Sequence, residues 1–296
     1  MSLIDFILNL AGLLLWVSWR YVPFDPINKI RPATLTGTLR RAEPARLKAW
    51  HFLAALLGLL LVRAIFYWWI GGALSWTPGI KLGAIAISFR SDFFWRMVAY
   101  SAASFMHILM VYYLCLLLLS LLNPRGPDAD SCQRFIRIQL GPIHGWPAAI
   151  KMLVPFFSIG LAWLAVGSLL AWWGIVPRTL SWLQRAEQAA VLGAGVYLIW
   201  RYVIGTVLAL QLLNTYVYLG SHPLWNYVNA TARRLLLPLE RLPLRVGKVD
   251  FAPVLGIALV YAGAGFLENG LHSPIPGTGI KINIPGLVDI YGRISN

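Results

Sequence analysis

Six long apolar stretches limit what this chain can fold into. A helix needs about 20 apolar residues to cross the hydrocarbon core of a bilayer, and each stretch is near that length or longer. They cover residues 3–18, 49–70, 94–122, 152–175, 189–219 and 251–267. The composition agrees, because the chain is 58% hydrophobic and 12% charged, whereas soluble domains have about 45–50% and about 25%. The sequence therefore predicts an all-α, polytopic membrane protein with about six transmembrane helices.

The first stretch is the least secure of the six spans. It is short and it contains Asp5, so the sequence leaves open whether it crosses the bilayer completely. No basic residue precedes Arg20, and a secretory signal peptide has a positive region before its apolar core. We therefore expect no cleaved signal peptide.

An internal repeat organises the last four spans. Pro142 and Pro147 flank one polar corner, and Pro238 and Pro243 flank another 96 residues later. Each corner is followed by a proline that opens an apolar run, and these two prolines are 98 residues apart. Repeats of this kind set the architecture of many membrane proteins. We therefore predict an N-terminal hairpin with an outer loop at 1–92, repeats at 93–180 and 181–270, and an outer tail at 271–296.

The distribution of basic residues predicts the orientation. Sixteen of the 25 Lys and Arg residues lie between spans one and two, three and four, or five and six, and six lie on the other side. Cytoplasmic loops are enriched in Lys and Arg, so we expect both termini outside and three connections in the cytoplasm. The net charge of +14 does not indicate nucleic-acid binding, because the basic residues are spread over separate loops.

Two of the connections contain short segments with helical spacing and a basic face. The clearest covers residues 224–235, and a shorter one lies around Phe135 and Ile138. Such helices are typical of the headgroup region. We predict that the basic residues of these corners contact anionic lipid or a protein partner. These residues are Arg134, Arg137, Arg233, Arg234, Arg241 and Arg245.

The two outer segments 77–82 and 277–282 have similar sequences. Both continue with small and β-branched residues, which indicates short strands or extended turns. The segments either pair with each other or form separate, merely similar loops.

The second corner resembles the signature of the YggT (YlmG) family. Residues 237–253 read LPLERLPLRVGKVDFAP, which is similar to the family's Pro-Leu-x-Arg-x-x-Pro corner, its Gly, and its Asp-Leu/Phe-Ser-Pro helix opening. The resemblance covers about residues 94–270. The first repeat is degenerate, since Met152 aligns with Asp250, and Ala252 replaces the usual Ser. Residues 1–92 lie outside the family pattern.

The resemblance implies a fold and a cellular setting. Two tandem YggT-like hairpins follow from the resemblance. Together with the apolar runs, they predict a polytopic membrane helical bundle of about six transmembrane helices, with an N-terminal hairpin and short interfacial amphipathic helices. YggT-like proteins are bacterial and plastid membrane proteins with no assigned reaction. They are linked to osmotic stress and potassium uptake, to cell division, and to cytochrome assembly. We therefore expect a bacterial inner-membrane location.

Two ionisable residues lie near the middle of spans, where a charge costs about 2.5–3.5 kcal/mol. Arg201 lies in span five and His107 in the corresponding span of the first repeat. Together they would bind an anion or headgroup, or gate a proton or ion. Alternatively, Arg201 hydrogen-bonds helix carbonyls or extends to the interface, and a neutral His107 packs without further function.

Further charges lie near the predicted outer boundary of the spans. We predict that Asp5 pairs with Arg63 and that Arg96 pairs with Glu268, unless all four side chains extend to the interface. Asp250 precedes an apolar run that opens with Pro253, and a carboxylate at a helix start accepts backbone N–H groups. We therefore interpret Asp250 as a helix cap first and a site second.

The sequence contains no enzyme motif. It has no phosphate-binding glycine loop, no metal-ligand spacing and no paired acids, and its two cysteines form no disulfide framework. We expect no catalytic, cofactor-binding or metal residues. Two functions stay open: a scaffold or assembly factor that binds through its basic corners, and a small transporter or channel component for potassium in osmotic adaptation. A homo-oligomer is compatible with both.

Overall fold

The structure of this 296-residue chain is a computed structural model. It describes residues 3–21, 48–74, 77–82, 85–123, 131–176, 181–217, 222–239, 245–246, 249–274 and 281–295. The α-helices are α1 (Leu3–Tyr21), α2 (Ala49–Leu74), α3 (Phe94–Leu122), α4 (Ser131–Leu140), α5 (Ala148–Trp172), α6 (Trp182–Gly195), α7 (Trp200–Tyr216), α8 (Pro223–Leu236), α9 (Ala252–Asn269) and α10 (Leu287–Ser295). The strands are β1 (Gly79–Leu82), β2 (Ile85–Ser88), β3 (Arg245–Val246), β4 (Val249–Asp250), β5 (Gly270–Pro274) and β6 (Lys281–Pro285).

The described residues confirm a helical membrane protein with six candidate spans. Six helical segments are long and apolar enough to cross a bilayer: Leu3–Tyr21, Ala49–Gly72, Phe94–Leu122, Ala148–Trp172, Trp182–Tyr216 and Ala252–Asn269. Only between 11% and 39% of each apolar window is buried inside the protein. Most apolar side chains therefore face outward, as expected where lipid is the solvent.

Exposed tryptophans lie at both ends of several candidate spans. Trp50 and Trp69 lie near the two ends of α2, and Trp172 lies at the end of α5. Trp146, which is also exposed, lies just before α5. Tryptophan prefers the level of the lipid headgroups. These positions support the span boundaries given by the helices.

The chain divides into two compact units. The first contains Met1–Pro78 and Phe89–Leu109, and the second contains Gly79–Ser88 and Met110–Asn296. In the first unit, α1 packs against α2 and the first half of α3. Gly12 of α1 allows this approach, because a Cβ there would lie 3.1 Å from the Phe105 ring and 3.3 Å from Leu56.

Two stretches of the chain, α3 to α5 and α7 to α9, share one order of elements. A span is followed by a short amphipathic helix, a corner and another span. The corner after α4 is a 3-10 turn over Gly141–Gly145, and the corner after α8 leads into the β3–β4 hairpin. Helix α5 packs against α6, α7 packs against α9, and the two amphipathic helices α4 and α8 pack against each other.

The fifth span is interrupted. Helix α6 begins with a capping box at Ser181 and Gln184, and it ends at Gly195. The four residues Val196–Ile199 form a 3-10 turn before α7 begins. Just before the break α6 crosses α5 so closely that a Cβ on Gly193 would lie 2.8 Å from the carbonyl oxygen of Phe156. A 3-10 stretch inside a longer helix commonly marks a hinge or strain.

The strands form three separate antiparallel hairpins. β1 pairs with β2, β3 with β4, and β5 with β6. Among the described residues, the strand of each similar outer segment therefore pairs with its own neighbour, β1 with β2 and β6 with β5. Gly270 joins α9 to β5 with φ of +74°, and a Cβ there would lie 2.1 Å from the carbonyl oxygen of Ile284. This position requires glycine for both reasons.

Candidate functional site

Six deeply buried polar residues of the first unit form one network. Each of its helices contributes two side chains four residues apart, which places both on one face. The six residues are Asp5 and Asn9 of α1, Arg63 and Tyr67 of α2, and Tyr100 and Ser104 of α3. All six are at most 5% exposed. A charge buried this far requires partners, and the network provides them.

Arg63 lies at the centre of this network. Its Nη2 donates to Asp5 Oδ1 at 2.7 Å and to Ser104 Oγ at 3.0 Å, and its Nη1 donates to Asn9 Oδ1 at 2.7 Å. Asn9 Nδ2 also donates to Ser104 Oγ, at 2.9 Å. Helices α1, α2 and α3 are therefore joined through one guanidinium.

Two phenols complete the carboxylate side of the network. Tyr67 donates to Asp5 Oδ1 at 2.6 Å, and Tyr100 donates to Asp5 Oδ2 at 3.0 Å. The guanidinium carbon of Arg63 lies 5.3 Å and 5.4 Å from the centres of these two rings, within the range of a cation–π contact. Charge, hydrogen bonds and aromatic faces together compensate for the burial of the ion pair.

The predicted pair of Asp5 with Arg63 is confirmed, whereas the rest of the network was missed. Tyr67, Tyr100, Asn9 and Ser104 each interrupt an apolar run, four residues from another polar residue. This four-residue spacing is the sequence feature from which the network could have been predicted. His107, one turn beyond Ser104 on α3, is half-buried, and its Nδ1 has no hydrogen-bond partner among the described residues.

A partly buried ion pair joins α7 to α9. Arg201 Nη1 donates to Glu268 Oε2 at 2.5 Å, and Arg201 Nη2 donates to the Tyr202 hydroxyl at 2.9 Å. Both charged side chains are partly buried, with 17% and 24% exposed. Arg201 lies directly after the interruption of the fifth span. Arg201 is therefore a paired residue. Its predicted joint site with His107 stays a prediction, because Arg201 belongs to the second unit and His107 to the first.

The predicted pair of Arg96 with Glu268 stays a prediction, because Arg96 belongs to the first unit and Glu268 to the second. Glu268 pairs with Arg201, and Arg96 lies 3.6 Å from Asp92, four residues earlier in the chain. Residues four apart are already neighbours once a helix has formed, which favours a local ion pair over one between distant residues.

Polar contacts hold the amphipathic helices against the end of α3. Asn123 Nδ2 donates to Thr231 Oγ1 of α8 at 2.7 Å, and Gln133 Nε2 of α4 donates to the backbone oxygen of Asn123 at 2.8 Å. All three residues are at most 3% exposed. An apolar cluster beside them contains Leu116 and Leu117 of α3, Ile136 and Leu140 of α4, and Tyr227 of α8. The inner faces of α4 and α8 are therefore occupied by protein.

The outer faces of α4 and α8 carry exposed arginines. Arg134 and Arg137 are exposed on α4, and Arg233 and Arg234 are exposed on α8. Arg234 also has a structural role, because its Nη1 donates to the backbone oxygen of Leu122 at 2.6 Å and so caps the end of α3.

Three other predicted residues are described only in part or not at all. Arg241 lies outside the described residues, and only the backbone of Arg245 is described, as part of β3. Asp250 ends β4, and the residue before the first turn of α9 is Phe251, which makes no side-chain cap. The capping role of the Asp250 side chain stays a prediction.

No protein-family model, curated protein or solved structure matches this chain. The resemblance of its second corner to the YggT family is therefore a prediction that rests on the motif alone.

Proposed function

We propose that this protein is a non-catalytic, YggT-type scaffold or assembly factor of a bacterial inner membrane. In this proposal the exposed arginines of α4 and α8 bind anionic lipid headgroups on the cytoplasmic side. The observation that supports this proposal is the arrangement of α4 and α8. Their inner faces are packed against protein, and their outer faces present basic side chains.

The packing of α4 and α8 supports a role in recognition. The side chain of Asn123 bonds that of Thr231, and the side chain of Gln133 bonds the backbone oxygen of Asn123, so these buried groups join α3, α4 and α8. An amphipathic helix held in this way does not fold on binding, so its arginines are presented at little further entropic expense. The Asp5–Arg63 network of the first unit joins three helices, which suits a structural role better than a permeation path.

The lipid preference is tested with the full chain in nanodiscs that contain equal amounts of phosphatidylglycerol and phosphatidylcholine. The variant is Arg134→Gln/Arg233→Gln, since neither side chain makes a hydrogen bond or ion pair among the described residues. Each arginine near an anionic surface contributes about 1 kcal/mol, so losing two weakens the preference about 30-fold. The retained lipid is counted by native mass spectrometry.

The matched control removes two exposed charges on the side predicted to be outside. This variant is Lys81→Gln/Arg90→Gln, and we expect it to retain the wild-type preference. A loss of preference in this control equal to that of the α4/α8 variant would refute the proposed lipid surface.

One observation favours the second candidate function, a small transporter or channel component. The interruption of the fifth span lies directly before Arg201, and interrupted helices line the sites of several transporter folds. Potassium and proton flux into liposomes tests this function. Flux through the wild type that Glu268→Gln abolishes would favour transport, and no flux from a well-inserted sample would favour the scaffold.

A further inference from the structure

A histidine caps the start of α8. The N-cap residue is His222, and its Nδ1 accepts the backbone N–H of Leu224 at 3.3 Å. Only a neutral imidazole can accept there, because an imidazolium carries a hydrogen on both ring nitrogens. Histidine side chains commonly change their charge between about pH 5 and 8, whereas the usual Ser, Thr and Asn caps do not titrate in that range. The cap of α8 is therefore of a kind that depends on pH.

The imidazole satisfies an amide of the first turn that the backbone does not. Pro223, at the first helical position, has no N–H. The N–H groups of Trp225 and Asn226 both donate to the backbone oxygen of His222, at 2.9 Å and 3.4 Å. Among the described residues, the acceptor of the Leu224 N–H is His222 Nδ1. Protonation removes this acceptor and also places a positive charge at the positive end of the helix dipole.

The first turn of α8 has little packing to hold it without the cap. Leu224 is 44% exposed, and Asn226 is exposed as well. The contacts that fix α8 begin further along, with Tyr227 in the apolar cluster and with Thr231, which binds Asn123. Protonation of the cap should therefore unwind the first turn and leave the rest of the helix in place.

Within the described part of the chain, no charged side chain bonds the imidazole and so offsets this change. Helix α8 packs against α4, α7 and α9, and its apolar cluster includes residues of α3 and of the turn Gly141–Gly145. Apart from the bond with Leu224, the His222 side chain makes no hydrogen bond or ion pair with a described residue. The titratable and charged groups of these elements in the second unit, and of α8 itself, are Tyr112, Tyr113, Cys115, Cys132, Arg134, Arg137, His144, Arg201, Tyr202, Tyr216, Tyr227, Arg233, Arg234, Tyr261 and Glu268.

A second histidine accepts a backbone N–H at the start of α2, but its surroundings differ. His51 Nδ1 accepts from the Lys48 N–H at 3.1 Å, and the Lys48 backbone oxygen lies 3.2 Å from the same nitrogen. A protonated His51 can therefore donate to that oxygen and keep its contact with Lys48. The described residues offer His222 no such second partner. The two histidines thus form a natural comparison within one chain.

We propose that His222 is a pH-sensitive switch, which caps the first turn of α8 near neutral pH and releases it in acid. Positions 222 and 233 are 11 residues apart, which is about three helical turns, so an imidazolium lies on the same side of α8 as Arg233. On the proposed lipid surface it adds a further cation to the basic face of α8. That consequence rests on the proposed function, whereas the cap itself does not.

The test is hydrogen–deuterium exchange of the full chain in nanodiscs of phosphatidylcholine alone, read by mass spectrometry at about pH 7.5 and about pH 5. Labelling times are scaled to the intrinsic exchange rate at each pH. These discs contain no anionic lipid, so the result does not depend on the proposed lipid surface. We expect the protection of residues 223–226 to fall about 2- to 30-fold in acid, the range for a lost N-cap. The protection of residues 227–236 should not change.

Two variants of His222 separate the cap from other effects of acid. His222→Asn supplies a cap that does not titrate, so the first turn should stay protected at both pH values. His222→Ala removes the acceptor, so protection of the first turn should be low at both. The matched control is His51→Asn, which should retain the wild-type response of α8 to pH.

Three results would overturn the proposal. The first is equal protection of the wild-type first turn at both pH values. The second is a pH response that persists in His222→Asn, because another group would then be titrating. The third is a loss of protection along the whole of α8, which would indicate general unfolding instead of a released turn. A failure of Arg134→Gln/Arg233→Gln to weaken the lipid preference would refute the lipid surface and leave the cap standing.

Discussion

The Asp5–Arg63 pair provides the sharpest test of how the first unit is held together. The side chains of Arg63 and Asp5 are only 1% and 3% exposed and lie 2.7 Å apart. Arg63→Met leaves the carboxylate buried without its cation, and Asp5→Leu leaves the guanidinium without its anion. Breaking a buried pair from one side costs about 3–5 kcal/mol. Each single variant should therefore lower the folding equilibrium constant by about two to four powers of ten.

The double variant Asp5→Leu/Arg63→Met should be more stable than either single variant. Replacing a buried ion pair by apolar side chains is often neutral or stabilising by about 1–4 kcal/mol. Against this, the phenols of Tyr67 and Tyr100 lose an acceptor, at about 1 kcal/mol for each lost hydrogen bond. We therefore expect the double variant to lie between the wild type and the single variants.

The assay is reversible unfolding by sodium dodecyl sulfate in mixed micelles, followed by far-ultraviolet circular dichroism and analysed as a double-mutant cycle. The control is Arg96→Gln, whose partly exposed i, i+4 pair with Asp92 spans 3.6 Å and should contribute at most about 0.5 kcal/mol. Additive effects of the two single substitutions would refute the reasoning, because they would show that the two buried charges do not interact.

Three further predictions address the second unit and the orientation. Gly270→Ala should destabilise the β5–β6 hairpin by about 1–3 kcal/mol in the same assay, while Gly263→Ala, whose Cβ would meet nothing within 4 Å, should not. Glu268→Leu should cost about 1.5–3 kcal/mol, and an equal loss in an Arg201→Leu background would contradict the observed pair. Cys132 should react with an impermeant maleimide only from the cytoplasmic side, with Cys132→Ser as the blank; labelling from outside in intact cells would reverse the predicted topology.

Those features that depend on local sequence could be predicted. The six spans follow from the length of the apolar runs, and the Asp5–Arg63 pair follows from two opposite charges inside neighbouring spans. The start of α5 was placed four residues late, because the helix begins directly after Pro147 and carries Lys151 in its first turns. Pro147 is one of the prolines that defined the repeat, so the sequence already contained the residue that marks this boundary.

Features that depend on three-dimensional packing were not predicted. The hydroxyls of Tyr67 and Tyr100 reach Asp5 only after α1, α2 and α3 have come together. The interruption at Val196–Ile199 contains no proline, and it accompanies the close crossing of α5 and α6 at Gly193. Arg96 was assigned a distant partner because the competing local residue, Asp92, lies outside the apolar run.

The network around Arg63 also has a consequence for biosynthesis. Asp5 and Asn9 lie in α1, which is synthesised before α3, and their partners Tyr100 and Ser104 are each 95 residues further along the chain. At about 5–20 residues per second, α1 waits about 5–20 s before those groups are synthesised. During that interval the Asp5 carboxylate lacks the partners that α3 supplies. We expect nascent chains arrested before Tyr100 to keep α1 cross-linkable to the insertion machinery, and chains arrested well after Ser104 to release it. The order of synthesis thus makes the completed membrane integration of α1 depend on the synthesis of α3.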